Sequence, residues 1–215
     1  MTILHRDFAN MLLQGDTEAA VAFIRKYKEM ERIAIFQDIV TPALYHIGEL
    51  WEQNEISVAD EHLATASCDF VLSRIYPSAR SEDGRAKKAM FFCLEGEQHY
   101  LGLKMVNSYF EELGWNTKYF GPNLPLQYAL SYARDWRPDV IGMSISIVYN
   151  LPQLKKYIEE FCKLPHKPAL LVGGRLAGRY ELDTHCQDQA LIMKDLSSLK
   201  QWLSQTIPGE KMNVL

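Results

Sequence analysis

Apolar residues recur at helical spacing through residues 1–80. Polar residues fill the positions between them, which is typical of helices with one buried face. Four such segments in succession predict a four-helix bundle. The predicted segments are a first helix that ends at Gly15-Asp16, a second that starts there, a third from about Met30 to Trp51 and a fourth from about Ser57 to about Tyr76.

Two local signals refine these boundaries. Pro42 lies inside the third segment, where a residue without a backbone N–H is expected to kink or divide the helix. Ser57 precedes the fourth segment and Asp60 follows it three residues later, which is the spacing of a capping box. We therefore expect the fourth helix to begin next to Ser57.

From residue 88 onward, short apolar runs alternate with segments of helical length. This alternation predicts a doubly wound, Rossmann or flavodoxin-like parallel sheet. The charged stretch 81–87 is interpreted as a linker, so the bundle covers 1–80 and the sheet domain 88–215. Strands are expected at 88–94, 116–120, 139–144, 168–172 and 189–193, and helices at 100–113, 125–136, 150–163 and 194–206.

Charge and hydropathy exclude several classes of partner. The chain of 215 residues has a net charge of -4 and no basic block, which argues against direct nucleic-acid binding or attachment to an anionic membrane. No apolar run approaches the roughly 20 residues of a transmembrane helix. The N-terminus has no secretory pattern. We therefore expect a cytoplasmic protein.

The four cysteines offer no metal-binding pattern. Cys68, Cys93, Cys162 and Cys186 are widely separated and form no CxxC pair. They are interpreted as reduced, mostly buried thiols.

A candidate metal ligand follows the first predicted strand. His99 lies on the loop leaving that strand, and Glu97 precedes it by two residues. A neutral imidazole can bind a metal through one nitrogen while a carboxylate holds the other. Gly102 leaves room for a large ligand beside the next helix.

Two further motifs fall at the same predicted edge of the sheet. Between Gly102 and the motif Ser144-Ile145-Ser146 lie 41 residues, and between Ser146 and Gly173-Gly174 lie 26. Each motif alone is a common turn. Together, at these distances, they resemble the fingerprint of the cobalamin-binding Rossmann-like domain.

The resemblance implies a role for each motif residue. His99 would replace the dimethylbenzimidazole base as the lower ligand of cobalt, with Glu97 as its hydrogen-bond partner. The displaced nucleotide tail would lie against the serine and glycine segments, and Asn150 falls where some members carry a serine that extends the histidine relay. Ser146 stands in place of the family's Leu, and Glu97 in place of the commoner Asp. The residues implied in cofactor binding here are Glu97, His99, Gly102, Ser144, Ser146, Asn150, Gly173 and Gly174.

The helical half resembles the light-sensing cobalamin regulators of the CarH type. Trp51 is followed after nine residues by Glu61-His62. The resemblance implies that these residues cover adenosylcobalamin between bundle and sheet: the indole of Trp51 over the adenosyl group, Glu61 accepting from ribose hydroxyls, and His62 contacting the same group or the cobalt side.

Two departures from that type bear on function. Repressors of the CarH type begin with a DNA-binding domain, whereas the predicted helical bundle of this chain starts at the first residues. They also carry a histidine directly after the Trp, which binds cobalt once light has broken the Co–C bond; this chain has Glu52 there. Either His62 or His46 substitutes, or no stable adduct forms. The remaining histidines, His5, His166 and His185, are interpreted as surface residues.

Three functions fit this pattern. The first is a sensor, without catalysis of its own, that binds adenosylcobalamin base-off/His-on and responds to light or cofactor state. It would act through self-association or through a protein partner such as a transcription regulator. The second is a corrinoid carrier subunit of a methyltransferase system, which would favour methylcobalamin. The third is a regulator that binds haem or a bilin on the same fold.

Overall fold

The computed structural model describes residues 4–77, 86–180, 182, 186 and 189–206. The chain divides into two compact units. The first comprises Met1–Gly84 with Lys104–Trp115, and the second Arg85–Leu103 with Asn116–Leu215. Residues 81–85 of the predicted linker lie outside the described residues.

The first unit contains the four helical segments predicted from the sequence. Asp16 caps the second segment, because its carboxylate accepts the backbone N–H of Ala19 at 2.9 Å. The apolar faces pack together, and Phe8, Phe36 and Ile39 are fully buried. The helices are α1 (Leu4–Leu13), α2 (Thr17–Arg25), α3 (Arg32–Ile35), α4 (Thr41–Glu52) and α5 (Val58–Ile75).

Pro42 divides the third predicted segment, as expected. A π-helical turn, Phe36–Val40, separates α3 from α4. Pro42 has no N–H to give to the preceding turn, and the N–H of Thr41 bonds instead to the carbonyl of Phe36, five residues back. The wider turn accommodates the proline at the start of α4.

The predicted capping box is confirmed at the start of α5. The backbone N–H of Ser57 donates to the carboxylate of Asp60 at 2.8 Å, and the hydroxyl of Ser57 accepts the N–H of Asp60 at 3.3 Å. Both otherwise unpaired groups are thereby satisfied.

The second unit is built around a parallel five-stranded sheet in the order β2-β1-β3-β4-β5. All five predicted strands are present, although β5 is shorter than predicted. The five-residue helix α9 was not predicted. The strands are β1 (Lys88–Cys93), β2 (Asn116–Tyr119), β3 (Val140–Ser144), β4 (Ala169–Gly173) and β5 (Leu191–Ile192). Helix α6 (Leu101–Glu112) follows β1, and most of its residues belong to the first unit. The helices of the second unit are α7 (Leu126–Trp136), α8 (Leu151–Cys162), α9 (Arg175–Arg179) and α10 (Leu196–Thr206).

The central strands are buried on both faces, which explains their continuous apolar runs. Met90, Phe92, Ile141, Met143 and Val172 belong to one apolar core. No helix among the described residues combines the length and apolar character needed to cross a membrane.

The four cysteines are free, and three of them are buried. Burial raises the pKa of the Cys68 thiol to about 12. A thiol held protonated in this way is a poor nucleophile and metal ligand. The prediction of unpaired, mostly buried thiols is confirmed.

Candidate functional site

The three motifs of the second unit follow neighbouring strands. Cys93 at the end of β1 pairs in register with Ser144 at the end of β3, and Ser144 pairs with Gly173 at the end of β4. The loops that carry these motifs therefore leave the same edge of the sheet, the edge at which parallel sheets bind their ligands.

Glu97 is the central residue of this edge. Its side chain is 0% exposed, and both carboxylate oxygens accept hydrogen bonds. Oε1 accepts the backbone N–H of His99 at 3.1 Å and the ring Nδ1 of His99 at 2.5 Å. Oε2 accepts the backbone N–H groups of Ser146 at 2.7 Å and Ile147 at 3.2 Å. The carboxylate thus joins the loop after β1 to the loop after β3.

These bonds keep Glu97 ionised. Burial acts to raise the pKa of Glu97, but hydrogen bonds from the His99 ring and from the amides of Ser146 and His99 outweigh it. These hydrogen bonds hold the pKa of Glu97 below its usual value of 4.5. An ionised carboxylate only accepts hydrogen bonds, so His99 Nδ1 carries the proton.

His99 presents its other nitrogen outward. Its side chain is 55% exposed although its partner is fully buried. In the neutral imidazole with Nδ1 protonated and bound to Glu97, Nε2 carries the lone pair. Among the residues that the structure describes, none donates a hydrogen bond to Nε2. This is the arrangement of a histidine prepared to bind a metal.

Ser144 and Ser146 hold different positions on the loop after β3. Ser144 is buried and pairs in register with Cys93. The thiol of Cys93 donates to the carbonyl of His99 at 3.7 Å, and burial raises its pKa to about 12. Ser146 is partly exposed. Its amide binds Glu97, and its hydroxyl accepts the N–H of Arg175 at 3.5 Å. Ser146 therefore lies between the Glu97 loop and the start of α9.

The three motif glycines meet different surroundings. Gly174 has φ +105°, and a Cβ there would lie 2.3 Å from the carbonyl oxygen of Ile145. A side chain at this position is therefore excluded. A Cβ on Gly173 would make an ordinary contact at 3.8 Å with Met193, and one on Gly102 would meet no atom within 4 Å. The described protein thus leaves open space beside Gly102.

Asn150 makes no described contact with the histidine pair. The described hydrogen bonds to the carboxylate of Glu97 come from His99, Ser146 and Ile147. The family resemblance implied that a side chain at position 150 extends the histidine relay. In the structure, the backbone amides of Ser146 and Ile147 bind Glu97 instead.

The predicted residues of the first unit lie at the end of α4 and the start of α5. Trp51 is 48% exposed. Glu61 accepts His62 Nδ1 at 2.9 Å and the hydroxyl of Thr65 at 2.9 Å. His46 lies edge-to-face with His5, with ring centroids 6.2 Å apart.

Two histidines predicted at the surface, His5 and His166, are only partly exposed. His166 is partly buried, and its Nε2 is shielded without a hydrogen-bond partner among the described residues. Burial, followed by the charge of Arg137, lowers its pKa. His185 lies outside the described residues.

Sequence reasoning missed the residues that hold Glu97 through their backbone. The amide of Ile147 carries no signal in the sequence. Asn123 was also missed: its side chain accepts the N–H of Gly96 at 2.8 Å, and its own N–H donates to the Glu97 carbonyl at 3.1 Å. These two bonds brace the turn that presents Glu97.

The residues present fit a metal that brings most of its own ligands. No three His, Cys, Asp or Glu side chains among the described residues are grouped to hold a metal ion. His99 offers a single nitrogen, the described protein leaves open space at Gly102 three residues later, and Gly174 keeps the loop after β4 free of side-chain bulk. A metal held in a macrocycle needs no more than one or two protein ligands.

Two family models, each described as a B12 binding domain, match residues 4–76 and 87–189. The chain is 28% identical over 109 residues to the HTH-type transcriptional repressor CarH of Myxococcus xanthus, an alignment covering 51% of this chain and 36% of CarH. The chain spans about two fifths or less of the length of the curated relatives it matches.

Solved structures with the same fold come from Methanosarcina barkeri. The monomethylamine corrinoid protein is 11% identical with a TM-score of 0.76, covering 96% of this chain and 99% of that one. The methanol:cobalamin methyltransferase complex MtaBC is 13% identical with a TM-score of 0.51, covering 94% and 79%. At these identities the likeness concerns the fold. The two matched segments together account for most of the sequence, and the chain belongs to the B12-binding domain family of cobalamin-binding proteins.

Proposed function

We propose that this protein binds adenosylcobalamin in the base-off/His-on form and acts as a sensor of light or of cofactor state. The observation that carries the proposal is the Glu97–His99 pair. A fully buried, ionised carboxylate fixes the tautomer of an exposed imidazole and leaves Nε2 available. A lower cobalt ligand needs this state of the histidine.

The second unit supplies the rest of the proposed site. His99 would hold cobalt, with Glu97 setting the position of the imidazole. Ser144, Ser146, Gly173 and Gly174 would accompany the displaced nucleotide tail. The requirement for glycine at position 174 supports this role, because any side chain there would displace the loop that carries Ser146. Gly102 would leave room for the macrocycle.

The first unit would supply the residues for the upper ligand. The half-exposed Trp51 offers a flat apolar surface. Glu61 offers carboxylate oxygens to hydroxyl groups, and His62 a second imidazole. These features favour the adenosyl group over the smaller methyl group.

When bound, adenosylcobalamin supplies a weak Co–C bond that light breaks, and the protein supplies orientation and cover. We propose that loss of the adenosyl group changes either self-association or the binding of a protein partner, such as a transcription regulator. The similarity to the repressor CarH supports this choice.

A corrinoid carrier that passes a methyl group between methyltransferases is the second candidate. The likeness to the monomethylamine corrinoid protein, over nearly the whole of both chains, favours it. Such a protein would bind methylcobalamin and would be demethylated by a partner enzyme. A haem- or bilin-binding regulator is a third use of the same fold.

One experiment separates these functions. The purified protein is loaded in darkness with adenosylcobalamin, methylcobalamin, haem or biliverdin, and its absorption spectrum and elution volume are recorded before and after green light. We expect adenosylcobalamin to bind base-off, and light to change both readouts. Binding without any response to light would contradict light sensing, even though cobalamin binds.

A variant sharpens the test. Glu52→His restores the histidine that CarH-type proteins carry directly after the Trp. We expect it to give the illuminated protein a stable bis-histidine spectrum that the wild-type protein lacks or forms less completely.

A further inference from the structure

Asn150 stands at the start of α8 without the usual role of asparagine there. An asparagine before a helix normally accepts an N–H of the first turn with its side chain. The side chain of Asn150 makes no such bond. Capping of α8 therefore does not explain why an asparagine stands at position 150.

The side-chain nitrogen of Asn150 is also unsatisfied. Nδ2 is shielded from solvent and has no hydrogen-bond partner among the described residues. A buried amide donor without an acceptor is unfavourable, and most such groups in folded proteins are paired. A donor left in this state is available to an acceptor that arrives with a ligand.

The position of Asn150 connects it to the proposed cobalamin site. Its backbone N–H donates to the carbonyl of Ile147 at 3.0 Å, and the N–H of Ile147 donates to Glu97. Asn150 thus closes the turn that holds the partner of His99. The side chain as a whole is partly exposed, and a half-turn about χ2 would bring the amide nitrogen to the position of the side-chain oxygen.

We propose that the side-chain amide of Asn150 donates a hydrogen bond to an acceptor oxygen of bound cobalamin. The proposal rests on the proposed function. Cobalamin offers such oxygens in two places: the phosphate and ribose of its nucleotide tail, and the carboxamides around its corrin ring. Both accept an N–H, and cobinamide, which keeps the ring but lacks the nucleotide, distinguishes them.

The test compares the affinity of four proteins for aquocobalamin and for cobinamide by absorption titration. Asn150→Ala removes the donor. Asn150→Asp keeps the shape but replaces the donor by an acceptor, and aspartate is itself a good residue to precede a helix, so the fold is retained. Gln127→Glu, an exposed amide-to-carboxylate change in the first turn of α7, is the matched control.

We expect Asn150→Ala to weaken cobalamin binding about 10-fold and Asn150→Asp at least as much, the size of one lost hydrogen bond. Gln127→Glu should change the affinity by less than about 2-fold. A loss confined to cobalamin assigns the bond to the nucleotide tail. An equal loss with cobinamide assigns it to the ring carboxamides.

Failure of the proposed role of Asn150 and failure of the proposed function give different results. Wild-type affinity of both Asn150 variants for both ligands, in a protein that binds cobalamin with the base-off/His-on spectrum, overturns the role of Asn150 alone. A wild-type protein that fails to bind aquocobalamin overturns the proposed function and this role with it.

Discussion

The protein contains two carboxylate–histidine pairs, one in each unit, and they differ in what surrounds the carboxylate. In both, the acid accepts the histidine Nδ1, at 2.5 Å for Glu97–His99 and 2.9 Å for Glu61–His62. Glu97 is 0% exposed, whereas 34% of the Glu61 side chain is exposed. Glu97 also accepts three backbone N–H groups, whereas Glu61 accepts one hydroxyl.

The comparison shows that the environment of the acid decides how well an imidazole is positioned. An exposed pair on one helix gains little and exchanges readily with water. A buried carboxylate held by backbone amides cannot move without leaving those amides unpaired. His99 therefore has a fixed ring, while His62, 76% exposed, is free to reorient.

Removing each acid should produce very different losses of stability. Glu97→Ala leaves the part-buried amides of Ser146 and Ile147 without an acceptor, so we expect it to lower the free energy of unfolding by about 3 kcal/mol. Glu61→Ala should lower it by less than about 1 kcal/mol. Urea denaturation of the protein without cofactor measures both. Similar losses for the two variants would contradict the distinction.

A substitution at Gly174, directly after β4, should also disturb the loop after β3 that binds Glu97. A Cβ on Gly174 would strike the backbone of Ile145, next to Ser146. We expect Gly174→Ala to cost about 2 kcal/mol through this clash and the positive φ. Gly102→Ala is the matched control: it meets open space in helix α6 and should stabilise the protein by about 0.5 kcal/mol. Thermal unfolding of the two variants compares them.

Gly102→Ala should act in opposite directions on stability and on binding. Its added methyl group occupies space assigned to the cofactor, so we expect cobalamin affinity to fall while the melting temperature rises. Unchanged affinity in a titration with aquocobalamin would remove Gly102 from the site.

The contribution of Glu97 to the stability of the protein should also depend on pH. The pKa of Glu97 is lower in the folded protein than its usual value of 4.5. Its contribution to stability is therefore present above that value and is lost as the pH falls through the folded pKa. The difference in unfolding free energy between wild type and Glu97→Gln should shrink below about pH 4.5. A difference that stays constant from pH 7 to about pH 3 would mean that the charge of Glu97 is not stabilising.

Most of the fold was predictable because the apolar residues that become buried recur at regular spacing in the sequence. The apolar runs predicted the five strands, and Pro42 predicted the division of the third helical segment. α9 was missed because five residues are too few to show a period. β5 is shorter than its apolar run because it pairs with β4 through only two residues.

The contact between the Glu97 and His99 side chains was predictable, but the backbone hydrogen bonds around it were not. The spacing of Glu97 and His99 indicated their pairing, but the amides of Ser146 and Ile147 are donors that every residue possesses. Gly173 and Gly174 look equivalent in the sequence, whereas the register of β4 places only Gly174 against the backbone of Ile145. Such differences arise from contacts between distant segments.

The central claim is that His99 replaces the nucleotide base beneath cobalt, and electron paramagnetic resonance tests it directly. The protein is prepared with ¹⁵N-labelled histidine, loaded with unlabelled cobalamin and reduced to the cob(II)alamin state. If His99 is the axial ligand, the cobalt lines are split into doublets by ¹⁵N, and His99→Ala abolishes that splitting while His62→Ala retains it. Triplet splitting by ¹⁴N in the labelled wild-type protein would show that the vitamin's own base remains bound and would contradict the account.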